Sequence, residues 1–282
     1  MRGLRRLLPI AAGVGLLATV ITGCDWPTGT RYVFPVFQNY DVTSNVTYRT
    51  TTTYTGATID LKLDIYQPRG DTATKRPVMM WMHGGYWVGG NKGDMAAYAS
   101  DSARRGYVGV SVQYRLRNST SDFAAAAWDA YDDVAVAAQW LEAHAAEYRI
   151  DPDAIVAGGY SAGAINALNL VFMPPDRGPA TSPVDGAVSI AGMSFAPIRA
   201  GREPVIMFNG TNDGLVPYSA SQGNCNLSAS LGNVCELVTY QGAGHEIGGT
   251  QRADILARAH HFVMDHVLLP LGYQAQQMPA AA

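Results

Sequence analysis

Apolar and polar positions follow two rhythms along this chain, and the change between them falls near residue 70. Before it, "NVTYRTTTTYT" and "TIDLKLDIYQP" alternate and are rich in β-branched and aromatic residues, the pattern of an antiparallel strand pair at a sheet edge. After it, "PVMMWMHGG" and "VGVSVQYRL" are unbroken apolar runs of the kind a strand covered on both faces carries, with a helix expected between them from Asp94 to Arg105. An alanine-rich stretch from Phe123 to Tyr148 reads as a long helix. Ala154 to Gly158, "GAVSIAG", "PVIMFNG" and "CELVTYQG" read as further strands, and Arg252 to Leu269 as the closing helix. Strands alternating with helices imply an α/β fold with a mostly parallel central sheet and helices on both faces. Ligands in such folds sit at the carboxyl ends of the strands, so residues that carry chemistry should fall just after strands.

The first residues stand outside that scheme. Arg2, Arg5 and Arg6 precede an apolar run from Leu7 to Ile21, the layout of an export signal, and "ITGC" at 21–24 resembles the bacterial lipobox. Residues 1–23 are therefore expected to be a lipoprotein signal peptide, with Cys24 carrying the lipid that holds the exported protein at a membrane surface; simple secretion to the extracellular side or a retained anchor are the alternatives. Residues 24–44, with Pro27, Gly29 and Pro35, read as a tether, 45–272 as the folded domain and 273–282 as a frayed tail. A chain of 282 residues that is 48 % hydrophobic and 15 % charged suits one domain with a large core. Its net charge of −3, with scattered Lys and Arg, offers no basic surface for nucleic acid. Export leaves Cys225 and Cys235 as a pair in a compartment where a disulfide persists; two buried free thiols are the alternative. Two cysteines without histidines at ligand spacing imply no metal.

"GGYSAG" at 158–163 sets Ser161 between close-set glycines. Such a stretch can raise a serine on a sharp strand-to-helix turn, where only small neighbours let the backbone close, but in a chain with 30 glycines it also arises by chance. Three more segments follow strands. The glycines of "MHGGYW" at 82–87 let backbone N–H groups approach a developing oxyanion, which makes Gly85 and Tyr86, with the Ala162 N–H, candidate donors. "FNGTNDGLVP" supplies Asp213 and "YQGAGHE" supplies His245. A loop aspartate is usually a turn former. Together, however, the three meet a chemical need: a serine hydroxyl requires a base to take its proton, and a histidine base requires a carboxylate to fix its tautomer. His144, His260, His261 and His266 fall within helices and read as packing or surface residues.

Over residues 45 to 270 these features resemble the α/β-hydrolase superfamily. The resemblance implies Ser161 as nucleophile, His245 as base and then acid, Asp213 as orienting acid, and no cofactor. "LKLDIYQP" and "HGGYWVGGNKGD" are similar to the carboxylesterase branch that includes bifunctional acetylxylan and feruloyl esterase-like proteins and hormone-sensitive-lipase-like enzymes, and H-G-G-Y-W is similar to kynurenine formamidases. Tyr86 departs from the commoner H-G-G-G and puts a ring at the pocket mouth.

Only about a dozen residues separate "GAVSIAG" from "PVIMFNG", too few for a multi-helix lid, so the expected fold has a minimal cap or none. An open pocket buries less acyl chain, each lost buried CH₂ forfeiting about 0.8 kcal/mol, which favours short acyl groups. It also admits a bulky alcohol portion, so the expected partner is a small ester or an ester-decorated polymer. Tyr160 and Trp87 are candidate pocket walls, with core packing the alternative for Trp87. The expected function is that of a serine carboxylesterase. A peptidase of the prolyl-oligopeptidase type fits less well, because Ala164 follows Gly163 and the chain has no length for a propeller; export argues against an arylformamidase, and the intact Ser161, Asp213 and His245 against a binding module.

Overall fold

The computed structural model describes residues 26–117, 122–173 and 182–278; the expected signal peptide and Cys24 lie outside the described residues. The strands are β1 (Tyr40–Thr52), β2 (Thr58–Pro68), β3 (Arg76–Met82), β4 (Val108–Val112), β5 (Ile150–Tyr160), β6 (Gly186–Ile190), β7 (Val205–Gly210) and β8 (Cys235–Tyr240). They form one sheet in the order β1-β2-β4-β3-β5-β6-β7-β8. β1 and β2 are antiparallel to their neighbours, and β4, β3 and β5 to β8 run parallel. The change of rhythm near residue 70 is therefore the change from an antiparallel edge to a parallel interior.

Helices cover both faces: α1 (Ala96–Arg104), α2 (Phe123–Ala143), α3 (Ala145–Tyr148), α4 (Ala162–Phe172), α5 (Tyr218–Ser230), α6 (Ile247–Thr250) and α7 (Arg252–Val263), the last running on into a π turn at Met264–Leu268. Along β3, Val78, Met80 and Met82 pack into one core with α2 and α4, while Met79 and Trp81 pack into a second with α1 and α7. Every residue of β3 is buried, as its unbroken apolar run requires. Residues 191–204, between β6 and β7, hold no helix, so no lid is built there.

Two expectations change, and one helix arrives that the sequence did not announce. Helix α5 carries no apolar stripe that would announce it; a Cys225–Cys235 disulfide ties it to the start of β8, with Cα atoms 5.5 Å apart. The described part of the supposed tether is packed rather than extended: Tyr32 and Val33 are 5 % and 0 % exposed. The Tyr32 N–H donates to the Arg105 carbonyl, and those of Val36 and Phe37 to Arg104. The described part of the tail is held too, since Tyr273 stacks edge-on to Tyr32 and its hydroxyl donates to Asp151 at 2.8 Å. Thr30 and Gln277 form an isolated β-bridge. Aromatic burial here outweighs the proline and glycine content that suggested a loose chain.

A buried ion cluster pins this N-terminal segment. Asp71, 3 % exposed, accepts from Arg31 at 2.5 Å and from Arg76 at 2.6 Å, and both arginines are nearly fully buried. Burial alone would raise the Asp71 pKa, but hydrogen bonds from Arg31 and Arg76 outweigh it and hold the carboxyl below its ordinary value. Gly106, at φ +103°, leaves room for Arg31: an added Cβ would lie 2.8 Å from its Nε. Removing the shared carboxylate would strand two buried guanidinium groups. Asp71→Ala is therefore expected to lose about 3–5 kcal/mol of stability, read as a lower urea midpoint; an unchanged midpoint would refute this account of the segment.

Candidate active site

The site is assembled at the carboxyl ends of β3, β5, β7 and β8. Ser161 ends β5 and caps α4 with φ 55° and ψ −118°, a strained conformation held by its N–H donating to Ile190 at 2.8 Å. The flanking glycines are required by contact. A Cβ on Gly159 would lie 2.3 Å from the Gly163 carbonyl carbon, and one on Gly163 would lie 2.1 Å from the Met82 carbonyl oxygen. Any side chain there would push β5, α4 and β3 apart.

Ser161, His245 and Asp213 are brought together. His245 Nε2 lies 2.9 Å from Ser161 Oγ and Nδ1 lies 2.8 Å from Asp213 Oδ2. The carboxylate fixes the tautomer: Nδ1–H donates to Asp213, and Nε2 accepts from the serine hydroxyl. Asp213 itself is aimed by two backbone bonds, since its Oδ1 accepts from the N–H groups of Leu215 and Val216, both at 2.9 Å. Asn209 braces that loop by donating to Val216 O at 3.3 Å and to Ser221 Oγ at 2.7 Å. This arrangement can take the proton from Ser161 and return it to a leaving group.

The Gly85–Trp87 turn carries positive φ at three successive residues, 110°, 55° and 59°. Its carbonyl at Gly85 accepts from the N–H groups of Val88 and Gly89, which closes the loop. Among the described residues the N–H groups of Gly85, Tyr86 and Ala162 donate to no backbone carbonyl. They are thus available to an anionic oxygen beside Ser161. Two residues that the sequence did not mark hold this turn. Tyr114 donates its hydroxyl to the His83 carbonyl at 2.7 Å and stacks on the His83 ring at 4.2 Å. His83 Nδ1 lies 2.7 Å from the Gly84 carbonyl, and burial pushes the imidazole pKa below its ordinary value, as suits a neutral ring donating through Nδ1. Tyr114 sits in the run "VGVSVQYRL", where nothing but its position just after a strand distinguishes it.

The two pocket candidates part company. Tyr160 lines a cleft of about 370 Å³ together with Gly84, Gly85, Tyr98 and Arg252. Its ring lies between Gly84 and Gly248, where added Cβ atoms would come within 3.0 and 2.8 Å of it. Its hydroxyl donates to the His245 carbonyl at 3.3 Å and to Glu246 Oε2 at 3.2 Å, so it ties that cleft, whose lining does not include Ser161, Asp213 or His245, to the histidine loop. Trp87, by contrast, is 1 % exposed. Its Nε1 donates to Asn166 at 3.1 Å and its ring packs edge-on to Phe123, which makes it core behind the site rather than open wall.

Comparison with known proteins gives the same picture. The BD-FAE family model matches residues 63–172, and the Phospholipase/Carboxylesterase model matches residues 129–262. Rat (Rattus norvegicus) Carboxylesterase 1C is 34 % identical over 40 % of this chain, and human (Homo sapiens) Cocaine esterase 31 % over 74 %. The matched stretches span 22 % and 35 % of those proteins' own lengths. Among solved structures, a thermophilic esterase from Thermogutta terrifontis, Est2, in its propionate-bound form, superposes with a TM-score of 0.67 at 27 % identity. That likeness covers 86 % of this chain and 97 % of that one; a butyrate-bound form of the same esterase gives 0.64 and 28 %, over 78 % and 92 %. On its sheet order, its serine turn and these likenesses, the chain belongs to the α/β-hydrolase superfamily and is similar to esterases built on that fold.

Proposed function

We propose that the protein is a serine carboxylesterase that hydrolyses short-acyl esters through an acyl-enzyme, and that it is exported and anchored by a lipid on Cys24. The observation that carries the catalytic part is the Asp213–His245–Ser161 hydrogen-bond chain beside unoccupied N–H groups. Ser161 Oγ attacks the ester carbonyl carbon while its proton passes to His245 Nε2. The oxygen that becomes negative is met by the N–H groups of Gly85, Tyr86 and Ala162, each such donor being worth about 2.7–4 kcal/mol in related sites. Collapse expels the alcohol, which takes the proton from His245; a water then repeats the sequence on the acyl-enzyme and frees Ser161.

The short-acyl preference is supported by the lack of helix in residues 191–204. It is also supported by the propionate and butyrate held by the Thermogutta esterase. With no helix in residues 191–204, the alcohol side is taken to be open to a small ester or to one borne on a polymer. Export and anchoring rest on Arg2, Arg5 and Arg6, the apolar run to Ile21 and the sequence ending in Cys24.

Initial rates on p-nitrophenyl acetate, butyrate and octanoate test the catalytic part. Acetate or butyrate is expected to be preferred, and Ser161→Ala to lower kcat by about 10⁴-fold. Equal rates in the variant would remove Ser161 from the chemistry, and inertness on every ester would favour an amide substrate. Metabolic labelling with a fatty acid tests the anchor: label is expected on the wild-type protein and lost in Cys24→Ala, while label retained in the variant would refute it.

A further inference from the structure

The N-terminal segment reaches the domain at one end of the sheet, and the candidate active site lies at the other. Among the described residues, the contacts of residues 26–37 with the sheet fall at the amino ends of the parallel strands. Tyr32, Val36 and Phe37 bond to Arg104 and Arg105, at the end of α1 and just before β4. The Tyr107 hydroxyl, at the entry to β4, donates to the Tyr32 carbonyl at 3.0 Å. Arg31 shares Asp71 with Arg76, the first residue of β3. Trp26 donates through Nε1 to Asp265 at 2.9 Å, in the π turn where α7 has come back down to that end. Ser161, Asp213, His245 and the Gly85 turn all follow the opposite, carboxyl ends.

Cys24 precedes Trp26 by two residues, a reach of about 7 Å at most. A lipid on Cys24 would thus hang almost directly from a fixed point on the domain, because the segment that the sequence suggested as a tether is packed down. From that observation we infer that the amino-terminal end of the sheet is the surface laid against the membrane, and that the catalytic serine is held facing away from it. This inference rests on the anchor reading above. β3 has seven residues, which at about 3.3 Å per residue puts the Ser161 turn roughly 20 Å above the lipid-facing end. Anchored in this way, the enzyme cannot dip its site into its own bilayer. Its substrates are esters presented from the aqueous side, dissolved or carried on a polymer, and not the acyl chains of the lipid on which it sits.

Two surface positions report the orientation. Leu269 is 39 % exposed at the end to which Trp26 is tied, and Leu215 is 52 % exposed two residues beyond Asp213. Full-length lipoprotein is made with Leu269→Cys or Leu215→Cys. With Cys24 acylated and Cys225 bonded to Cys235, the introduced cysteine is the free thiol and takes a fluorophore. Each protein is then bound to phosphatidylethanolamine and phosphatidylglycerol vesicles that carry a headgroup nitroxide quencher. The label at 269 is expected to lose most of its emission and the label at 215 none. Equal quenching at both, or stronger quenching at 215, in vesicle-bound protein would overturn the orientation while leaving the anchor standing. Wild-type protein that fails to bind vesicles would instead remove the anchor reading, and the orientation with it.

Discussion

The close approach of β5, α4 and β3 at Gly159 and Gly163 is the constraint on which the rest of the site depends. With a Cβ of Gly163 only 2.1 Å from the Met82 carbonyl oxygen, there is space for backbone and nothing more. That contact brings the start of α4 against the end of β3, with Ser161 at positive φ between the two glycines, and a Cβ on Gly84 would lie 3.2 Å from the Ser161 Cβ. The candidate nucleophile and the neighbouring Gly84–Gly85 turn are therefore positioned by one packing event. Asp213 and His245 are carried to Ser161 by the loops after β7 and β8, and the Asp213 loop is braced by its bonds from Leu215 and Val216 and by Asn209.

Much of this was legible in the chain because parallel strands buried on both faces leave a strong signal. β3, β4, β6 and β7 are wholly buried and appear as apolar runs, whereas the edge strand β8 is only partly buried and carries Glu236 and Thr239; each candidate catalytic residue follows a strand. What escaped the sequence is what tertiary contact decides. Helix α5 has too few apolar residues to show a stripe and owes its place to Cys225 and to Ser221, whose hydroxyl donates to the Gly192 carbonyl at 2.9 Å. Residues 26–37 carry turn-forming Pro and Gly but also Tyr32 and Val33, and only the surrounding Tyr107, Tyr273 and Asp71 reveal that these are buried. Trp87 illustrates the same limit at the site itself: adjacent to Tyr86 in sequence, it turns into the core, whereas Tyr86 is 41 % exposed.

Function follows from how the two ends of the sheet are used. At the carboxyl ends, Tyr160 links the serine turn to the histidine loop, and Tyr114 and His83 hold the turn that carries the free N–H groups, so the polar geometry is preorganised before a substrate enters. At the amino ends, the arginine pair on Asp71 and the Tyr32 cluster hold the chain close to the point where the lipid would be attached. Under the proposed anchoring, a site at one end of the sheet and a short leash at the other would suit esters that come from solution.

The central claim is that Ser161 is a nucleophile activated by His245, and covalent labelling tests it most directly. The protein is incubated with diethyl 4-nitrophenyl phosphate, whose phosphorus is attacked by an activated serine with loss of 4-nitrophenolate, and is then examined by intact mass and peptide mapping. The account requires one diethylphosphoryl group per chain, on Ser161, and none on the Ser161→Ala protein. A label on another residue, or an unlabelled wild-type protein that still hydrolyses esters, would contradict it.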